Sequence, residues 1–163
     1  MSNSARPPVR LIDPRGQRCG AGLSAIVLAG AIVLDLPLVA LLVAIALGVS
    51  SALGTRYFAF GRPWPAIRGL LKLGPPSAPE PEVGPRFAQA LGTTFVGLGV
   101  VLLALGIEPL GWLLIVAVVA LQTLLAVTGF CLGCRLYGLH WWVPDQFDRL
   151  VLRRQPDRTG ELG

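Results

Sequence analysis

The chain is predicted to be an all-α integral membrane protein with four transmembrane helices as two helical hairpins, a short interfacial helix between them and another after the fourth span. Three observations lead there. Of 163 residues, 53% are hydrophobic and only 14% charged, against roughly 25% charged in average soluble domains. The apolar residues gather into two long blocks, residues 20–53 and 88–130, each too long for one crossing. The Lys and Arg residues lie outside both hairpin tips.

The first element is a cytosolic N-terminal segment, residues 1–19. The first transmembrane hairpin follows over residues 20–54. As one helix, its apolar block would run about 50 Å at ~1.5 Å per residue, whereas a hydrocarbon core is about 30 Å thick, so the chain must fold back. Asp35-Leu36-Pro37 supplies the turn: an Asp in mid-bilayer costs roughly 2.5–3.5 kcal/mol, and Pro is tolerated in the first turn of a new helix. Two spans result, near residues 21–34 and 38–53. Small residues every fourth position, Ala21, Ala25 and Ala29, then Ala40, Ala44, Gly48 and Ala52, are expected to let helices approach closely in lipid.

A cytosolic loop, residues 55–87, comes next. Within it, Trp64, Ile67, Leu70 and Leu71 recur at helical spacing among Arg62, Arg68 and Lys72, the character of an interfacial helix. Gly74-Pro75-Pro76 ends it, and residues 77–82 are a Pro-rich acidic linker with no means of packing a core. The second hairpin, residues 88–139, turns at Gly106-Ile107-Glu108-Pro109 and ends in a C-x-x-C pair. In the cytosolic tail, residues 140–163, His140-Trp141-Trp142 forms an aromatic belt and Asp145 caps a helix carrying Phe147, Leu150 and Val151.

Orientation follows from charge. Of the 14 Lys and Arg residues, the N-terminal segment holds Arg6, Arg10, Arg15 and Arg18. The loop holds Arg56, Arg62, Arg68, Lys72 and Arg86, and Arg135, Arg149, Arg153, Arg154 and Arg158 follow the fourth span. The positive-inside rule places both termini and the loop in the cytosol of an inner, plasma membrane. The net charge of +5 is not an argument for nucleic acid, because these cations sit in short segments where anionic headgroups meet them. The first apolar block is also far longer than the core of a signal peptide, so it is expected to be retained.

The hairpins resemble each other. Gly16-Gln17-Arg18-Cys19-Gly20-Ala21-Gly22-Leu23 aligns with Gly84-Pro85-Arg86-Phe87-Ala88-Gln89-Ala90-Leu91, and each hairpin turns at an acidic residue near a proline. A parallel duplication of one hairpin explains this; chance likeness between apolar sequences is the alternative.

Cys131 and Cys134 are the candidate catalytic residues, as a redox pair. In a reducing cytosol a C-x-x-C more often means redox or metal chemistry than a structural disulfide. An unbroken helix would put both sulfurs at the C-terminal end of a span, where the dipole opposes a thiolate. Arg135, or a break at Thr128-Gly129 restarting a helix just before Cys131, would offset that. The plain alternative is that these are packing residues. A Cys₃His metal site from Cys19, Cys131, Cys134 and His140 is conceivable, but a histidine beside two tryptophans needs no metal, and no metal or cofactor is expected. Asp35 and Glu108 fit turns better than a proton relay, and Gln122 and Thr123 suit hydrogen bonds to a neighbouring helix.

Ile12-Asp13-Pro14-Arg15-Gly16, Gly84-Pro85-Arg86-Phe87-Ala88-Gln89 and Gly129-Phe130-Cys131-Leu132-Gly133-Cys134 together resemble a family of small bacterial, often actinobacterial, membrane proteins known as domain of unknown function 4395. Cys131 and Cys134 match its cysteine motif, whereas Cys19 stands where an aromatic residue is expected. The resemblance implies thiol or sulfur handling, since such proteins tend to be encoded near thioredoxin-like and sulfurtransferase proteins.

The expected function is a cytosol-facing dithiol, accessory to thiol redox or sulfur transfer, whose partners are the bilayer and a soluble thioredoxin-like or sulfurtransferase protein. The alternative is a non-catalytic membrane scaffold or assembly protein. A quinone-linked dithiol enzyme is a third possibility by analogy, though such thiols work on the oxidising side.

Overall fold

The computed structural model describes residues 10–72, 74 and 79–139, with side-chain surroundings up to residue 136. These residues form β1 (Leu11–Ile12), α1 (Pro14–Val33), α2 (Pro37–Leu53), α3 (Trp64–Leu70), β2 (Glu80–Pro81), α4 (Val83–Ala104), α5 (Glu108–Thr128) and α6 (Leu132–Leu139), with two 3-10 turns, Thr55–Tyr57 and Ala59–Gly61, after α2. The class is mostly helical, as expected. The span count differs: among the described residues three helices, α1, α4 and α5, are long and apolar enough to cross a membrane, not four. The apolar helix α2 has 17 residues, about 25 Å of rise, because Pro37 starts it late and Gly54 stops it early.

α1 and α4 begin well before the apolar blocks do. Asp13 has extended backbone and accepts the Arg15 N–H at 2.9 Å, and Pro14 supplies a helical φ at the first position. The basic residues Arg15, Arg18 and Arg86 therefore ride on helices. The acidic linker is also corrected at its end: Glu80 and Pro81 pair antiparallel with Ile12 and Leu11. Glu82 is buried and accepts both the N–H and the hydroxyl of Thr55, at 2.6 and 3.0 Å.

The two hairpin tips share one geometry. Asp35 and Gly106 take positive φ, 51° and 78°, and the following N–H groups, of Leu36 and Ile107, reach back to Ala31 and Leu102 at 2.8 and 2.9 Å. Asp35 thus forms the turn as the residue type that, after glycine and asparagine, best tolerates that region; it does not cap α2. The interfacial segment is helical as expected, but it is tied inward by the Trp64 indole, which donates to Asp13 at 3.1 Å. The helix expected at Asp145 lies outside the described residues.

The hairpins pack by exchange. α1 lies along α5 more extensively than along its own partner α2, and α2 lies along α4. Leu28, Val43, Val96 and Ile115, one from each apolar helix, form the fully buried centre. Ala21, Ala25, Ala40 and Ala44 of the small-residue ridges are buried as expected, while Ala52 is exposed.

Polar links repeat the exchange. Ser24 on α1 donates to Gln122 on α5 at 2.9 Å, and Ser50 on α2 donates to Gln89 on α4 at 2.6 Å. Arg18 donates to the carbonyls of Ala126 and Val127 at 2.8 to 3.2 Å. Arg86 donates to those of Ser51 and Ala52 at 2.9 and 2.8 Å. In both cases these carbonyls stand third and second before the glycine that caps the helix, Gly129 or Gly54. Arg18 and Arg86 are the residues the repeat alignment equates, so the parallel duplication accounts for more than apolar likeness.

These caps make a test. Arg86→Met should destabilise the protein by about 2–3 kcal/mol, because it strands terminal carbonyls and removes hydrogen bonds from a charged donor. Arg18→Met should cost less, since Arg18 is only half-buried whereas Arg86 is buried. Unfolding midpoints of the detergent-solubilised protein check the order; an unchanged midpoint for Arg86→Met would show that the cap contributes nothing.

Candidate functional site

The site lies where α5 ends. Gly129 closes α5 in a left-handed conformation, φ 76°, with its N–H on the Leu125 carbonyl. Such a conformation suits glycine and ends a helix. The chain then runs through Phe130 and Cys131 without helical structure and restarts at Leu132. Of the two sequence alternatives the helix break is realised, but the new helix restarts at Leu132, just after Cys131 and not before it.

Cys131 is consequently the residue before the first turn of α6. Its carbonyl accepts the Arg135 N–H at 3.1 Å, the first helical bond, while its sulfur accepts the Cys134 N–H at 3.2 Å. A side chain accepting from the third N–H of a helix is the geometry of an N-cap. The partial positive charge of a helix start favours sulfur as a thiolate, so the dipole objection disappears. Arg18 adds to this by covering the last carbonyls of α5, the negative helix end closest to Cys131. Arg135 contributes differently from expectation: its guanidinium sits over the Phe130 ring, 5.8 Å from the centroid.

Cys131 and Cys134 are joined as a disulfide with Cα atoms 5.2 Å apart. α6 is held against α4 by close approach. A Cβ on Gly133 would sit 2.7 Å from that of Ala88, and one on Gly84 would sit 3.3 Å from that of Cys134. The spacing therefore requires glycine at the middle of the C-x-x-C. Cys134 faces α4, and Cys131 faces a cavity of about 240 Å³ enclosed chiefly by α1, α4, α5 and α6. Most of its wall is apolar, with Gln17, Ser24, Gln89 and Gln122 as the polar groups.

Cys19 is a free, half-buried thiol on α1. Thr123 bonds within its own helix to Val119, whereas Gln122 reaches α1 as expected. Asp35 and Glu108 stand at the hairpin tips. His140, the fourth member of the metal alternative, lies outside the described residues; among the described residues no three His, Cys, Asp or Glu side chains gather. Sequence reasoning missed Gln89 and Glu82, although the first sits in the quoted repeat motif three residues after Arg86. It also missed the cavity, which depends on how the helices exchange partners.

No curated protein and no solved structure matches the chain. The family model described as "Domain of unknown function (DUF4395)" matches residues 12–141, a stretch that holds all three quoted motifs, the interlocking arginines and the cysteine pair: the chain belongs to the DUF4395 family.

Proposed function

We propose that this protein is a membrane-embedded thiol–disulfide exchange protein in which Cys131 is the attacking thiol and Cys134 the resolving one. The observation that carries this reading is the position of Cys131 at the start of α6, with the Cys134 N–H donating to its sulfur. In the exchange, the Cys131 thiolate attacks one sulfur of a partner disulfide, forming a mixed disulfide and releasing the partner's other sulfur as thiolate. Cys134 then attacks the Cys131 sulfur; the internal disulfide forms and the partner leaves carrying two electrons. A thioredoxin-like or sulfurtransferase protein in solution suits this step, since both present a reactive sulfur on a soluble fold.

On this reading α2 also crosses the bilayer. Its 17 residues fall at the short end of the roughly 17–25 that span a hydrocarbon core. Leu38, Leu42, Ile45 and Val49 are exposed along it, as lipid contact requires. Four crossings put both termini and the cysteine pair on one side, and the arginine distribution makes that side the cytosol of the plasma membrane.

Trapping checks the roles. Cys134→Ser should accumulate a mixed disulfide between Cys131 and a small partner such as glutathione disulfide, and Cys131→Ser should give at least about ten-fold less, because Cys134 faces α4 and access governs exchange rate. Cys19→Ser should behave as wild type. Equal trapping by both variants, read by mass shift, would overturn the assignment of roles, and no trapping by either would overturn the exchange function. For topology, reporter fusions after Leu36 and Gly106 should report the outer side and fusions after Gly74 the cytosol. A cytosolic signal at both tips would sink the four-span arrangement.

A further inference from the structure

The cavity beside Cys131 joins three properties that do not usually coincide. It is apolar and lies within the helices that face lipid: Phe95 and Leu121 belong both to its wall and to the exposed apolar surface. It reaches the cysteine pair, since Cys131 is part of the wall. It also holds an unspent polar group. Gln89 is 4% exposed, its Oε1 accepts from Ser50, and its Nε2 has no hydrogen-bond partner. The other polar pair in the wall, Ser24 and Gln122, is bonded internally. A buried amide N–H without an acceptor is costly, more so away from water, and Gln89 is one of the residues that line the cavity.

We propose that this cavity binds the ring of a lipid-soluble quinone, which takes the electron pair of the Cys131/Cys134 dithiol. This inference rests on the exchange reading, run in the reverse direction: a partner dithiol reduces the Cys131–Cys134 disulfide by exchange, and the quinone is the second substrate that returns the pair to the disulfide. A quinone meets each property of the site. Its ring is flat and apolar, and its carbonyl oxygen accepts from an amide N–H such as Gln89 Nε2. Its tail leaves into lipid past Phe95 and Leu121. An apolar cavity of about 150 Å³ holds benzene, so about 240 Å³ has room for a one- or two-ring headgroup. A lipid acyl chain would fill the volume but leave the amide without an acceptor and would take no electrons.

The step balances. The Cys131 thiolate adds to the quinone ring, forming a carbon–sulfur bond, and the ring takes up the electron pair and a proton. The Cys134 thiolate then attacks the Cys131 sulfur; the disulfide forms, the carbon–sulfur bond breaks, and its electron pair leaves on the ring. Two thiols lose two electrons and two protons in total, and the two quinone oxygens become hydroxyls. With the pair on the cytosolic side, electrons run from a reducing compartment into the membrane, so this direction does not need the thiols on the oxidising side.

The test uses the full chain in detergent, reduced, freed of reductant and kept anaerobic. Decylubiquinone should be converted to quinol with one Cys131–Cys134 disulfide formed per quinol, read by absorbance and by mass shift. An azido derivative of the same quinone should label wild-type peptides from α4 and α5, which needs no variant to fold. Gln89→Leu should raise about ten-fold the quinone concentration that gives half the limiting single-turnover rate (its KM for that turnover), the effect of one lost hydrogen bond, with the limiting rate little changed. Oxidation by glutathione disulfide but not by decylubiquinone would overturn the quinone proposal and leave thiol exchange standing; oxidation by neither would overturn both. Labelling that avoids α4 and α5, or an unaltered KM in a folded Gln89→Leu protein, would place the quinone elsewhere and reject this cavity.

Discussion

The structure depends on what happens to two arginines. Arg18 and Arg86 each stand at the mouth of an apolar bundle, where a cation without partners is expensive. Each finds its partners at the same kind of place: the unsatisfied carbonyls at the C-terminal end of a helix, which carry partial negative charge. Neither uses its own hairpin. Arg18 on α1 reaches α5, and Arg86 on α4 reaches α2. A charge that must be neutralised across the repeat makes the two hairpins one body, since separating them would leave two cations and two helix ends without partners at once. The Ser24–Gln122 and Ser50–Gln89 bonds lie deeper along the same helix pairs and extend that logic toward the middle of the bundle.

The same interaction prepares the chemical site. Arg18 occupies the last carbonyls of α5, so the chain can leave the helix at Gly129 without an uncompensated negative end beside the cysteines. A new helix then starts within three residues, and its first turn offers N–H groups to Cys131. Had α5 continued unbroken, both sulfurs would have sat on the wrong end of a dipole. One glycine therefore changes the sign of the local field at the Cys131 sulfur, and the glycine inside the C-x-x-C lets the new helix lie against Ala88.

Much of this was legible in the residues, and the parts that were not share a cause. Asp35-Leu36-Pro37 and Gly106-Ile107-Glu108-Pro109 marked the tips because local chemistry alone makes a turn there. The equivalence of Arg18 with Arg86 was visible too, but its meaning was not: a sequence shows two arginines at matching places and says nothing of which helix end each will find. The start of α1 at Pro14 was hidden by reading where apolarity begins instead of where a cap is offered; Asp13-Pro14 was the signal. Glu80 to Glu82 looked like free linker because its order comes from Arg10, Leu11 and Thr55, far along the chain. α2 runs as expected, over Pro37–Leu53 against the 38–53 read from the sequence, because Pro37 starts it and Gly54 ends it before the exit turns that pack Phe58 onto α1. The cavity could not be read at all, for it exists only between helices that the exchange brings together.

The two hairpins also have equivalent exits, and these diverge. After α2, the chain turns at Gly54, pins Thr55 to the Glu82 carboxylate and buries Phe58 against Gly20 of α1. That exit is closed by an aromatic ring and a satisfied polar contact, with nothing reactive in it. After α5, the matching glycine leads into Cys131 and α6, which packs on α4 as the Phe58 segment packs on α1. The second exit puts a disulfide where the first puts a ring, and Phe58 and Cys131 both meet the cavity. The two copies thus differ at their exits, one closed by an aromatic ring and the other by a cysteine pair, although their arginine caps are the same.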